Sequence, residues 1–86
     1  MFTVYALYSP TFDKIYIGYT SDIQNRLLAH NHFEKGSYTS KYRPWILVYQ
    51  ETHNTKKEAM IREKQLKSGK GREFIWGIVH EKFPET

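Results

Sequence analysis

Residues 15–30 read IYIGYTSDIQNRLLAH, and the order of residue types in this stretch decides the fold. Its first part alternates aliphatic and aromatic side chains with the two-residue period of a strand. Ser21 with Gln24 three residues later is the capping pattern that opens a helix, expected to run through about Asn31. On that helix Ile23 and Leu27 are four residues apart, and so are Arg26 and His30. The first pair anchors the helix to a core and the second forms an adjacent polar column. Gly18 ends the strand that feeds the helix, where a missing side chain lets a bulky ligand approach the backbone.

Upstream, residues 2–8 (FTVYALY) form another strand, and SPTFD supplies the turn residues of a hairpin. With SPTF as the loop, Tyr8 pairs with Asp13, Val4 lies opposite Ile17, Ala6 opposite Ile15 and Tyr5 opposite Tyr16. The aliphatic residues then share one face, and the two tyrosines share the other with Gly18. Downstream, residues 32–43 show no period and read as a loop. Pro44 introduces WILVYQ, expected as a buried third strand. Thr55 and Glu58 repeat the capping pattern and start a second helix ending near Ser68, where SGKG breaks it. A third helix is expected from Arg72 to about Lys82, stopped by Pro84. The order β-β-α-β-α-α predicts an α/β (α+β) fold, with a small three-stranded, mostly antiparallel sheet flanked by helices, as a single domain over residues 1–86.

The 86 residues include no cysteine, so neither a disulfide framework nor a Cys-type zinc site holds the fold. No apolar run approaches the roughly 20 residues of a membrane span, and the first residues lack the pattern of a signal peptide. The expectation is a soluble cytoplasmic protein with no membrane partner. A net charge of +4 and seven tyrosines, several beside Lys or Arg as in SKYRPW, suit a polyanionic partner such as nucleic acid.

Glu63 is the sharpest signal on the second helix. At about 100° per residue, Ala59, Met60 and Leu66 define an apolar arc with Glu63 in its middle. A carboxylate there must pair with a cation, bind a metal or sit at the rim of a cleft. A salt bridge with Arg62, Lys67 or Arg26 explains it as well as a metal does. Other patterns carry less. The histidines of HNH at residues 30–32 are two apart on a helix and point in different directions. GKG at residues 69–71 lacks the rest of a phosphate-binding loop and reads as a turn between helices. His53 and His80 read as surface residues, and no serine has a supporting triad.

Taken together, these residues resemble the GIY-YIG nuclease superfamily, particularly its small stand-alone bacterial (UPF0213-like) members. The signature halves are TVY, Thr3 to Tyr5, and YIG, Tyr16 to Gly18. Arg26 follows Tyr16 by ten residues, as the family's helix arginine does, and His30 stands four further on at a histidine-or-tyrosine position. EAMIREKQLK is similar to the helix that bears the family's metal-binding glutamate, which falls on Glu63. The resemblance implies a divalent-metal-dependent endonuclease, a phosphodiesterase acting on DNA in preference to RNA, as in DNA repair or recombination. Its catalytic residues would be Tyr5, Tyr16, Arg26, His30 and Glu63. Tyr5, helped by Tyr16 or His30, would take a proton from the attacking water. Arg26 would clamp the phosphate in the transition state, and Glu63 would hold Mg²⁺ or Mn²⁺. Gly18, Lys41, Tyr42, Arg43, Lys67 and Lys70 are candidates for contacting substrate. A protein partner or a homodimer is compatible with the sequence. Many relatives carry an asparagine after the glutamate helix, and KSGKGREFIWG has none. The alternative is therefore a nucleic-acid-binding module of the same fold with weak or no turnover.

Overall fold

A computed structural model describes residues 1–33 and 35–84, with Phe33 as backbone only. Strand β1 (Phe2–Ser9) lies between β2 (Lys14–Thr20) and β3 (Ile46–His53) and is antiparallel to both. Because β1 is central, both of its faces are covered, and Val4 through Ser9 are all buried.

The hairpin register differs from the one that an SPTF loop predicts. Ser9 pairs with Lys14, Ala6 with Ile17 and Tyr5 with Gly18, a displacement of two residues along the partner strand. Ser9 stays in the strand and the loop is residues 10–13. Asp13 takes a left-handed conformation (φ 54°) that aspartate tolerates better than most residues. Its N–H donates to the Ser9 carbonyl at 2.7 Å, and its carboxylate accepts from the Tyr8 hydroxyl at 2.8 Å. A shift of one residue would have reversed the faces, but a shift of two preserves them. Tyr5 and Tyr16 therefore still share a face with Gly18, as diagonal rather than direct neighbours, with ring centroids 6.3 Å apart.

Two layers result. On one face Val4, Ala6, Tyr8, Ile15 and Ile17 pack with Val48 and with Ala59, Leu66, Ile75 and Val79 from two long helices. On the other, Tyr5 and Leu7 pack with Trp45, Ile23, Leu27 and Leu47. Helix α1 (Ile23–Leu28) belongs to this second layer and continues into a π-helical turn, Ala29–Phe33. Its cap is Asp22 rather than Ser21. The Thr20 hydroxyl accepts the Asp22 N–H at 3.1 Å, and the Asp22 carboxylate is left to accept the Asn25 N–H at 3.1 Å. A short helix, α2 (Tyr38–Lys41), stands where a loop was expected. Ser37 and Ser40 exchange side-chain and backbone hydrogen bonds at 3.3 and 3.0 Å, a reciprocal cap made by two serines in place of the usual Glu or Gln.

The third strand is an edge strand running to His53, not a buried strand ending near Gln50; within it Val48 is buried, and so is Trp45 in front of it. Helix α3 (Lys56–Lys67) is capped by Thr55, as its sequence predicts. Ser68 ends α3 and also starts α4 (Gly69–Lys82), three residues before the expected Arg72. Its hydroxyl donates to the Gln65 carbonyl at 2.6 Å and accepts the Gly71 N–H at 3.2 Å. One side chain therefore serves both helix ends, so the SGKG stretch turns the chain without a loop.

The apolar arc of α3 is narrower than expected, because Ala59 and Leu66 are buried but Met60 is 42% exposed. Arg62 flanks this buried stripe and its Nε lies 3.0 and 3.1 Å from the Glu51 carboxylate on β3. Glu51 also accepts from the Tyr49 hydroxyl at 2.6 Å and contacts His53 Nε2 at 2.6 Å. Burial opposes ionisation of Glu51, but the hydrogen bonds from Tyr49, Arg62 and His53 outweigh it and hold the carboxyl below its ordinary range. No helix among the described residues is long and apolar enough to cross a membrane.

Two measurements test this account. A methyl group at Gly71 would lie 2.2 Å from the Gln65 carbonyl oxygen and 2.4 Å from Leu66 Cα, whereas at Gly77 it would meet nothing within 4 Å. Gly71→Ala should lose about 1–3 kcal/mol in urea unfolding, and Gly77→Ala should gain up to about 1 kcal/mol. Near neutral pH, Glu51→Gln should cost about 1–3 kcal/mol. The lowered folded-state carboxyl makes this contribution complete above the unfolded value of 4.5 and removes it as pH falls through the lowered one. The two unfolding curves should therefore converge in acid.

Candidate active site

Alternation along β1 and β2 sends Tyr5, Tyr16 and Gly18 to the α1 side of the sheet. A side chain on Gly18 would place its Cβ 2.8 Å from the Tyr5 hydroxyl oxygen and 3.1 Å from Tyr16 Cε1. The room over Gly18 is thus filled by the chain's own phenols. His30 lies seven residues after Ile23 and three after Leu27, so it continues the inward stripe of α1 rather than the polar column expected with Arg26. It is 1% exposed, beneath the sheet, while Arg26 is half-buried.

Inside this layer a chain of polar groups runs through the core. Tyr5 Oη is 2.8 Å from His30 Nε2, and His30 Nδ1 is 3.0 Å from Thr39 Oγ1. Thr39 Oγ1 is in turn 3.1 Å from Ser37 Oγ. Tyr5 and His30 are 1% exposed and Thr39 2%, so water reaches the chain at the Ser37 end. Thr39 was missed by the sequence reading because it sits on α2, in the segment read as a loop. Its carbonyl accepts from Trp45 Nε1 at 2.8 Å, which ties α2 to the core.

Above these groups is a cleft of about 350 Å³ lined by Tyr16, Arg26, Lys35, Ser37, Tyr38 and Thr39. The Tyr16 ring lies between two of these groups, with centroids 4.9 Å from His30 and 6.4 Å from Tyr38. The cleft therefore combines cations, hydroxyls and aromatic faces, the chemistry that receives a phosphate and its attached base.

The other candidates are distributed around it. Arg43 is turned inward, its Nε donating to the His30 carbonyl at 2.6 Å and its Nη2 to the Ala29 carbonyl at 3.4 Å. These bonds satisfy carbonyls at the π-helical turn, so the arginine holds His30 in place. Tyr42 packs on Phe12 and Tyr38 and lies under the Lys14 ammonium at 5.0 Å. Lys41 and Lys70 are exposed.

Glu63 is not part of the cleft lining and belongs to the other helical layer, on α3. It flanks the buried stripe of Ala59 and Leu66 on the side opposite Arg62. Because Arg62 reaches β3, Glu63 is turned toward β2, the strand from which α1 departs. Its side chain is 19% exposed and its Oε1 is 3.4 Å from Lys67 Nζ, one of the three salt bridges the sequence left open. An i,i+4 pair with a half-exposed lysine contributes about 0.5 kcal/mol and leaves the carboxylate available to a stronger cation.

The sequence has relatives among known proteins. Residues 1–75 match the GIY-YIG catalytic domain, and the chain belongs to the GIY-YIG family, a nuclease superfamily. Among relatives, a UPF0213 protein of Staphylococcus epidermidis is 44% identical over 55 residues, 64% of this chain and 67% of that one. A UPF0213 protein of Staphylococcus saprophyticus matches to the same extent. One from Bacillus pumilus is 44% identical over 55 residues, 56% of its own length. These similarities agree with a small GIY-YIG domain protein. No solved structure matches significantly.

The packing at Gly18 can be tested directly. Gly18→Ala must push the Tyr5 phenol away from His30, so it should cost about 1–3 kcal/mol in denaturant unfolding. It should also change the chemical shifts of the His30 ring in NMR spectra. A variant as stable as the parent, with unchanged His30 signals, would show that the phenols do not need this space.

Proposed function

We propose that the protein is a divalent-metal-dependent endonuclease that hydrolyses phosphodiester bonds of DNA. One observation carries the reading: Tyr5 Oη and His30 Nε2 are 2.8 Å apart beneath a cleft whose wall holds Tyr16 and Arg26. In a member of a nuclease superfamily, these groups suit the proton transfer and charge stabilisation that phosphodiester hydrolysis requires.

Each residue has a role consistent with its position. Arg26 faces the cleft and offers planar paired donors to the non-bridging oxygens as negative charge builds up on them. Tyr5 takes the proton of the attacking water, and His30 is the partner to which the phenol can first pass its own. Tyr16, at the cleft wall against His30, orients the ester. Lys35 and Lys41, with Lys67 and Lys70 across the domain, are placed to meet phosphates away from the cut.

Glu63 provides a hard oxygen donor on the β2 side of α3. Among the described residues no group of three or more acidic or histidine side chains could enclose an ion. A single carboxylate would leave most of the shell of Mg²⁺ or Mn²⁺ to waters and substrate phosphate, a pattern these ions accept. When bound, such an ion supplies positive charge to the phosphate and the leaving oxygen.

The near-complete burial of Tyr5 favours a second reading. If the cleft never admits water to the phenol, the domain binds nucleic acid without turning it over. Both readings are tested by incubating the purified protein with duplex, branched and single-stranded DNA, with Mg²⁺ or Mn²⁺ and with chelator. The nuclease reading expects metal-dependent cutting. Arg26→Ala and Glu63→Ala should each reduce it by about 10²-fold or more while binding persists. Equal nicking by the parent and Glu63→Ala would refute that assignment, and binding without cutting would establish the second reading.

A further inference from the structure

Helix α4 buries Ile75 and Val79 against the core and turns a neighbouring flank to solvent. Lys70, Phe74, Gly77 and Glu81 follow one another along that flank at spacings of four, three and four residues, the repeat with which one helix seats on another. With Glu73 and Ile78 they line an open groove of about 610 Å³. Phe74 is 49% exposed, and its ring is set edge-on against Tyr49 with centroids 5.5 Å apart. Lys70 and Phe74 also line a second cleft of about 350 Å³ toward Arg62 and Gln65 of α3, so the ring forms a ridge between two hollows. One turn along, a methyl group on Gly77 would meet nothing within 4 Å. The flank thus carries a protruding ring and an open space, with an ammonium at one end and a carboxylate at the other.

The charge of the groove selects among partners. The chain carries a net +4, yet here the two carboxylates Glu73 and Glu81 accompany a single ammonium, Lys70. A local excess of carboxylate disfavours nucleic acid on this flank. A second copy of the same helix matches it. In an antiparallel pair with the two-fold axis between Ile75 and Trp76, positions equidistant from that point face each other. Lys70 then meets the partner's Glu81, and Phe74 meets the partner's Gly77. The symmetry makes each contact twice, while Ile78 widens the apolar contact and Glu73 stays at the rim.

We infer that the chain forms a two-fold dimer through this flank of α4, with the Phe74 ring of each copy seated over Gly77 of the other and Lys70 paired with Glu81 at both ends. The 14 residues of α4 span about 21 Å, so the contact is small and belongs to the weak, reversible class. Because α4 and the cleft lie on opposite sides of the sheet, both clefts stay open in the dimer. Lys70 meets a carboxylate in the dimer and is available to phosphate only in the monomer.

The test is sedimentation equilibrium of the full chain from about 10 μM to about 1 mM, the range in which a contact of this size associates. The dimer fraction should rise with concentration. Lys70→Glu and Glu81→Lys should each weaken the dimer by about tenfold, because each turns two attractive contacts repulsive, and combining them should restore it. The two single changes move the net charge in opposite directions, so weakening by both assigns the effect to the pair rather than to overall repulsion. Gly77→Ala has room for its methyl in the single chain but fills the space that receives the partner's Phe74, so it should weaken the dimer while the fold stays intact. A chain that stays monomeric up to about 1 mM would overturn the inference and leave the groove to a different partner. A dimer that none of these variants weakens would overturn it too, by locating the contact elsewhere, such as along the open edge of β3. A double variant no tighter than the single ones would sink the pairing of Lys70 with Glu81 and the two-fold placement with it.

Discussion

The structure depends on the burial of β1 on both of its faces. A strand covered on two sides sends alternate side chains into two separate layers, and the composition of FTVYALYS divides along that line. Val4, Ala6 and Tyr8 go to the layer of long helices, where packing is apolar. Tyr5 and Leu7 go to the layer of α1, where the polar chain and the cleft are found. The apolar layer and the layer of the polar chain thus lie on opposite sides of one sheet, and a change confined to one layer reaches the other through the strands they share.

The same constraint explains how much was legible in the sequence. Period-two alternation identified which residues share a face, and that conclusion held although the pairing was displaced by two residues. The displacement came from Asp13, whose left-handed backbone and bond to Tyr8 are local choices that alternation does not encode. The helix α3 was visible because Thr55 and Glu58 follow the common capping pattern, whereas α2 was hidden because two serines cap each other. Asp22 replaced Ser21 because Thr20 had already engaged the neighbouring N–H.

In the site, Tyr16 and Arg26 meet at one cleft with Tyr5 and His30 beneath them, while Glu63 stands in the layer of the long helices. The inward orientation of His30 could have been read from its spacing to Ile23 and Leu27. The contact of Thr39 with His30 could not, since it depends on where a short helix places a hydroxyl in three dimensions. Arg43 was chosen for its charge, yet the structure uses its donors on carbonyl oxygens. Charge identifies which residues can meet a phosphate, and only the fold reveals which of them are already engaged.

The division into layers also has an optical consequence. Of the two tryptophans, Trp45 lies in the layer of the cleft, against Tyr16 and Tyr38. Trp76 lies in the other, edge-on to Tyr8 and beside His80. Each side of the sheet therefore contains its own intrinsic fluorophore. Emission from one indole tracks the hydration of the cleft wall, and emission from the other tracks the grip of the long helices, so a single-tryptophan pair of variants can report on the two halves independently.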